Sequence, residues 1–416
     1  MSRLLLLSNT TGYQAKAFRD AAQKMGVSLA LATDRCHVLE DPWQDGAIAV
    51  RFQEPEESAR RILDFARHNP VDGIAAIGDA PTIAAAHAAE ALGLLYHPVA
   101  AVAACHDKWL AREHCRAAGL LVPAYKRFPA NQKPELAAES IPFPCVLKPL
   151  GLSGSRGVIR ANDTQQFLAA FRRIHTLLET PEVRALRDTT SSWIQVESYI
   201  PGREVAVEGL ITEGRLRVLA IFDKPDPLEG PYFEETIYVT PSRLPRATQN
   251  GLYDCMQRAV SALGLTHGPL HAELRINDEG LWILEAAARP IGGLCSRALR
   301  FENWMPLEEL IMRHALGEHV EHLPREAQAA GVMMIPLPQP GFYEGVENQD
   351  KARRILGVEG IEITAKLRQK LVPLPEGSSY LGFIFARGAS PEVVEGTLRR
   401  AHSELRFKIS ADLPLV

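Results

Sequence analysis

The first hundred residues switch repeatedly between two hydrophobic periods, and that alternation limits the fold more than any other feature of the chain. Leu4–Leu7 is an unbroken apolar run closed by Ser8-Asn9-Thr10-Thr11-Gly12, and Gln14–Met25 then spaces its apolar residues as a helix does. Val27–Leu31, Ala47–Val50 and Val71–Ile77 repeat the strand pattern, while Glu56–His68 repeats the helical one. Pro81, just after Gly78-Asp79, suits the first turn of another helix. Apolar strands joined by helices predict a parallel sheet covered on its faces. Ligands of such sheets sit beyond the carboxyl ends of the strands, so the Gly12 and Gly78-Asp79 loops are expected at a substrate edge.

The pattern then changes. A helical segment, Asp107–Ala118, ends at Gly119, and five prolines between Pro123 and Pro144 mark entry into a second unit. That unit holds a strand at Cys145–Lys148, a glycine-rich turn at Gly151–Gly157, a long helical pattern and a closing strand at Trp193–Val196. From Glu204 onward strands dominate, and a last block begins near Gly331. A chain of 416 residues accommodates two to four domains. The composition shifts place them at 1–105, 106–200, 201–330 and 331–416, an α/β (α+β) multidomain chain.

Composition narrows the function. With 46 Lys plus Arg against 50 Asp plus Glu and a net charge of −4, the chain offers no electrostatic footprint for nucleic acid or an anionic membrane. Its six cysteines, none spaced Cys-x-x-Cys, fit neither a disulfide framework nor a zinc ribbon. The opening apolar run is too short to span a bilayer and lacks a signal-peptide cleavage region, so a cytoplasmic protein is expected.

Four segments carry chemistry. Gly151-Leu-Ser-Gly-Ser-Arg-Gly157 follows Lys148-Pro149; its glycines let backbone N–H groups approach a polyphosphate, with Ser153, Gly154 and Ser155 at the centre and Lys148 as a fixed charge. A flexible surface turn is the alternative. Glu197-Ser-Tyr-Ile-Pro-Gly-Arg-Glu204 sets two acids about a Pro-Gly turn: Glu197 could accept from a base's exocyclic amine and Glu204 from ribose hydroxyls, or the segment is a hairpin with exposed charges. Glu273 and Glu285 lie in two alternating strands joined by Asn277-Asp278-Glu279-Gly280. Paired in a hairpin, they would place two acids on one face, where a cation such as Mg²⁺ relieves their repulsion. Arg289, four residues further on, could clamp a phosphoryl group or oxyanion, or pair with a nearby acid. Asp223-Lys224, at a strand end, could reach the substrate, although a surface ion pair is the safer reading, and His319-Val-Glu-His322 reads as a solvated helix end without a third metal ligand.

Taken in order, these segments resemble the ATP-grasp superfamily of carboxylate–amine ligases. The matching pieces are Asp107-Lys108, Cys145-Val-Leu-Lys-Pro149 with its glycine loop, Glu197–Glu204, His271-Ala-Glu273 and Glu285-Ala-Ala-Ala-Arg289-Pro-Ile-Gly-Gly293. The resemblance implies an ATP-grasp fold: an N-terminal parallel-sheet domain, a small lid and a central antiparallel domain, with ATP held between lid and centre. By position it makes Lys108 and Lys148 the phosphate-binding lysines, Glu197 and the Ile200 backbone the adenine-edge contacts, and Glu204 the ribose acid. Glu273 and Glu285 become ligands of Mg²⁺ (or Mn²⁺). Many members carry Asn two residues after the second acid, where this chain has Ala287.

Within the superfamily the sequence is similar to the L-amino-acid ligases, which join two free amino acids. Their Glu-Thr-Gly-His-like segment is here Glu235-Thr-Ile-Tyr238, so Tyr stands where His is common. The resemblance implies amino-acid substrates, with Glu235 receiving an ammonium group or proton, Tyr238 beside it, Arg289 at the reacting centre, and a homodimer. An ATP-grasp enzyme acting on another carboxylate or on bicarbonate is the competing expectation.

Overall fold

The computed structural model describes residues 2–9, 14–34, 46–377 and 380–411, so the Gly12 loop lies outside the described residues. Its N-terminal unit is a parallel sheet of β1 (Arg3–Ser8), β2 (Ser28–Thr33), β3 (Ala47–Ala49) and β4 (Gly73–Ile77) in the order β3-β2-β1-β4. Helices α1 (Ala15–Met25), α2 (Pro55–His68) and α3 (Asp79–Leu92) connect and cover it. The unbroken Leu4–Leu7 run has a direct cause. Leu4 and Leu6 face one core and Leu5 and Leu7 another, all four fully buried, each contributing roughly 1.5–3 kcal/mol.

Helices α4 (Val99–His106) and α5 (Lys108–Ala117) lead onward. Asp107 separates them by capping α5: its Oδ1 accepts from the Trp109 N–H at 2.8 Å and the Leu110 N–H at 3.3 Å, which fixes Lys108 in the first turn. The lid follows as an antiparallel sheet of β5 (Tyr125–Pro129), β6 (Cys145–Pro149), β7 (Ile159–Ala161) and β8 (Trp193–Ser198) in the order β5-β8-β6-β7. It is backed by α6 (Pro134–Ala138) and α7 (Thr164–Leu178). The Phe167, Phe171, Ile174 and Leu177 face of α7 closes the lid's own core.

The largest sheet has eight strands. It begins β13-β12-β9-β10-β11, from β9 (Arg203–Thr212), β10 (Arg215–Asp223), β11 (Ile237–Thr240), β12 (Gly268–Asn277) and β13 (Gly280–Ala287), and continues through Ala329–Ile335, Gly382–Gly388 and Val358–Ile363. The last block, expected to begin at residue 331, adds its strands to the central sheet. Tyr238 pairs with Val332 across an antiparallel ladder, and the 330/331 boundary falls inside a strand. A strand's alternation shows which face it buries but not which neighbour completes its hydrogen bonds, so the join was invisible in one dimension. Among the described residues no helix is long and apolar enough to cross a membrane.

Candidate active site

The lid and the central sheet face each other across a cleft lined by Lys108, Lys148, Leu152–Ser155, Glu197, Tyr199, Ile200, Glu204, Phe233, Glu235, Glu273, Arg275 and Glu285. Its floor is fixed by register. β12 and β13 form the expected hairpin, with Glu273 opposite Glu285 and His271 opposite Ala287. β9 adds a third row, placing Glu208 beside His271, Ala206 beside Glu273 and Glu204 beside Arg275. Since alternate residues share a face, one side of the sheet carries Glu204, Glu208, His271, Glu273, Arg275 and Glu285. Ala206 leaves room between the acids. A bulge after Glu273 makes Leu284 the extra residue of β13, and its carbonyl accepts from Arg112 at 2.5 Å.

Lys224 lies at the centre of the acids and is the largest departure from expectation. It is buried, and its Nζ donates to Glu204 (2.8 Å), Glu273 (3.0 Å) and, very closely, Glu235. The surface ion pair expected for Asp223-Lys224 is therefore corrected on both counts. Asp223 is fully buried and held by Arg203 and Arg243. Burial disfavours the Lys224 ammonium, but the three carboxylates outweigh it and raise its pKa well above the ordinary lysine value. Burial likewise works against the Glu273 carboxylate, yet Lys224 and His271 hold its pKa well below the usual range. Glu235 fares differently: burial and the neighbouring Glu273 push it up to about 7 against the pull of Lys224. His271 is buried too, but the Glu208 carboxylate on its Nδ1 raises it to about 9.

The donor chemistry of the floor fits a hard divalent ion. Glu285 faces Glu273 across the ladder, and among the described residues no side chain pairs with its carboxylate. Glu204, Glu235 and Glu273 also bring oxygens within 4.8 Å of one another, though Lys224 already bridges them.

On the lid side, Lys148 and Glu197 form a buried pair at 2.6 Å. Arg112 (2.9 Å) and Gln195 (2.6 Å) take the other oxygen of Glu197. Burial opposes the Glu197 charge, but Arg112 and Lys148 hold it to about 2. Burial also pulls Lys148 below the usual lysine range despite Glu197. The side-chain acceptor expected for an adenine edge is thus committed to two cations: Glu197 holds Lys148 in the cleft. Ile200 and Glu204 are engaged as well, the Ile200 carbonyl accepting from Arg275 at 2.7 Å and Glu204 pairing with Arg275 at 2.9 Å. Lys108 donates to the Leu150 (3.1 Å) and Leu152 (2.7 Å) carbonyls, so it anchors the glycine loop rather than standing free. Gly202 closes the Glu197–Glu204 turn at φ +126°, where a Cβ would lie 2.3 Å from the Ile276 carbonyl oxygen.

Arg289 ties the floor to the N-terminal unit. Its guanidinium meets the two oxygens of Asp79, at the start of α3, at 2.6 and 3.3 Å, so the expected Gly78-Asp79 edge and the expected clamp form one ion pair. Burial alone would raise Asp79, but Arg289 lowers it to about 2. Tyr238, expected among the reacting groups, is buried beside Phe222, and its ring backs Lys224 at 5.1 Å, outside the cleft lining. His319 and His322 are exposed, as their segment's charge suggested. Sequence reading passed over Arg112, Glu208 and Arg275. The signals existed: Arg112 lies one helical turn after Lys108, and Arg275 and Glu208 alternate in phase with Glu273 and Glu204.

Comparison with known proteins accords with this geometry. The ATP-grasp N-terminal domain family matches residues 19–94, the ATP-grasp domain family residues 141–298, and the L-amino acid ligase C-terminal domain 2 family residues 311–410. Alanine–anticapsin ligase of Bacillus subtilis (strain 168) is 28% identical over 253 residues, covering 57% of this chain and 52% of the relative. Carnosine synthase 1 of Gallus gallus is 30% identical over 321 residues, 72% of this chain and 33% of the relative. The chain thus spans about half, or less, of the length of these two relatives. In fold it matches the L-amino acid ligase from Bacillus licheniformis with a TM-score of 0.81 at 24% identity, over 99% of both chains. N5-carboxyaminoimidazole ribonucleotide synthetase from Thermotoga maritima matches at 0.69 and 16% identity, over 99% of this chain and 100% of that one. The chain thus carries an ATP-grasp N-terminal domain and an ATP-grasp domain, followed by an L-amino acid ligase C-terminal domain 2.

Proposed function

We propose that the chain joins two amino acids, activating the carboxylate of one with ATP through an acyl phosphate and releasing ADP and phosphate. The observation that carries this reading is the meeting, in one cleft, of the cross-strand pair Glu273 and Glu285 with Lys148 and the glycine loop. A carboxylate oxygen of the first substrate attacks the γ-phosphorus and the bond to the β-bridging oxygen breaks. The amine of the second substrate then attacks the acyl carbon, loses a proton, and expels phosphate. Charge gathers on phosphoryl and then carbonyl oxygens, so the catalytic equipment is cationic. Glu197 and Arg112 hold Lys148 toward the phosphates. Lys108 fixes the loop whose backbone N–H groups, with Ser153 and Ser155, surround them. Glu273 and Glu285 would hold Mg²⁺ (or Mn²⁺), which neutralises phosphate charge when bound.

Glu235, pushed up to about 7 by burial and Glu273, would take the amine proton or pair with an ammonium group. Arg289 steadies the tetrahedral oxyanion from the Asp79 side. The substrates are small molecules met in the cytoplasm, and a homodimer is the expected assembly. The test is to incubate the protein with ATP, Mg²⁺ and pairs of amino acids, following phosphate release and dipeptide mass. Glu285→Gln is expected to lower turnover at least about a hundredfold; full retention would overturn the metal assignment. Phosphate release that needs bicarbonate or a nucleotide precursor, and no amino acid, would overturn the substrate assignment.

A further inference from the structure

The last block of the chain reaches back to the nucleotide lid, and nothing in the reaction above uses that contact. The turn Pro373–Gly377 lies against the end of the glycine loop. The Gly157 N–H donates to the Pro375 carbonyl at 2.8 Å, and Arg156 Nε donates to the Glu376 carbonyl at 2.6 Å. The Glu376 side chain takes Arg173 of α7 in a two-pronged pair at 2.5 and 2.9 Å, and Arg173 also donates to the Tyr232 hydroxyl. The turn stands as a post against the lid. A Cβ on Gly377 would lie 1.7 Å from the Val372 carbonyl oxygen, so only glycine permits this approach. A second post stands beside it, where Arg160 donates from its backbone N–H to the Pro231 carbonyl at 2.9 Å and from its side chain to the Glu229 carbonyl at 2.7 Å. Both posts grip the lid near Ser153–Gly157, the segment read above as the phosphate cradle.

We propose that Glu376 is a positioning residue of the nucleotide lid: through Arg173 and the main chain of its own turn, the C-terminal domain latches the glycine loop in its closed position and slows nucleotide release. The inference rests on the nucleotide reading of the cleft. Lid opening must break these contacts, whereas the ligands of the floor stay where they are. The Glu376–Arg173 pair is more than a third exposed on both sides, so its share is modest, roughly two- to fivefold in the opening equilibrium.

The experiment follows release of a fluorescent ADP analogue by stopped flow, with thermal melting as the folding control. Glu376→Ala and Arg173→Ala are each expected to speed release roughly two- to fivefold and to raise the KM for ATP with little change in kcat. The double variant should release no faster than either single one, and the swap Glu376→Arg with Arg173→Glu should return the rate toward that of the unaltered chain. Release at the original rate in both single variants, or additive effects without recovery in the swap, would overturn the latch. Failure of the unaltered chain to bind the analogue at all would instead overturn the nucleotide reading.

Discussion

At the scale of single residues, the fully buried charges of the site are each paired, whereas Glu285, the one left without a side-chain partner among the described residues, is not fully buried. Lys224 is the clearest case, one ammonium compensating Glu204, Glu235 and Glu273 in a place almost closed to water. Lys224→Met removes the cation and leaves three carboxylates facing one another. Breaking a buried pair costs about 3–5 kcal/mol, and urea unfolding should register a loss of that order. Adding Glu235→Gln to the same variant should return part of it, because one of the repelling charges is gone. An unchanged urea midpoint in Lys224→Met would show that the cluster relaxes without its cation. The residue scale also marks the limit of motif reading. Glu197 and Glu204 could be recognised as important acids, but Arg112 and Arg275, 85 and 71 residues distant, occupy their oxygens.

At the scale of elements, the site depends on turns and register more than on side-chain identity. The β12–β13 hairpin was legible from its alternation and polar turn, but unbroken alternation would put Leu284 opposite Glu273; the bulge at Leu284, which the pattern does not show, brings Glu285 to that face. The Glu197–Glu204 turn was legible as a Pro-Gly turn. That its glycine is pressed against the β12 backbone was not, since Ile276 lies far along the chain. Gly202→Ala puts a methyl 2.3 Å from a carbonyl oxygen at a φ of +126°, and a loss of about 1–3 kcal/mol in urea unfolding is expected, with weaker binding of ATP. A variant as stable as the original would mean that the turn shifts freely. Helix α5 shows the same dependence. The Asp107 cap was visible as a residue type, and the cap holds Lys108 at the loop it anchors.

At the scale of the whole molecule, three histidines distant in sequence join the N-terminal unit to the central sheet. His97 accepts the Thr266 and His267 N–H groups on Nδ1, and the rings of His267 and His314 stack at 3.8 Å. Burial lowers all three, His97 to about 4 and His314 to about 3. The unfolded chain would take up these protons near the ordinary histidine pKa of roughly 6.5 while the folded one refuses them. Their contribution is therefore intact above that value and is lost as pH falls through the window toward 4. The urea midpoint should drop between pH 7 and pH 5. His97→Asn, which keeps an acceptor for the two N–H groups, should drop less; an equal fall would assign the acid sensitivity to other groups.

The two hydrophobic periods, the caps and turns, and the order of the motifs can be read along the chain, because each depends on neighbours a few residues away. Which charges meet cannot be read that way. Lys224 enters the acids, Asp79 takes Arg289, the last block completes the central sheet and its turn reaches the lid. Those pairings are set by how strands and domains pack, and Coulomb's law acts on distance in space, not on separation along the chain.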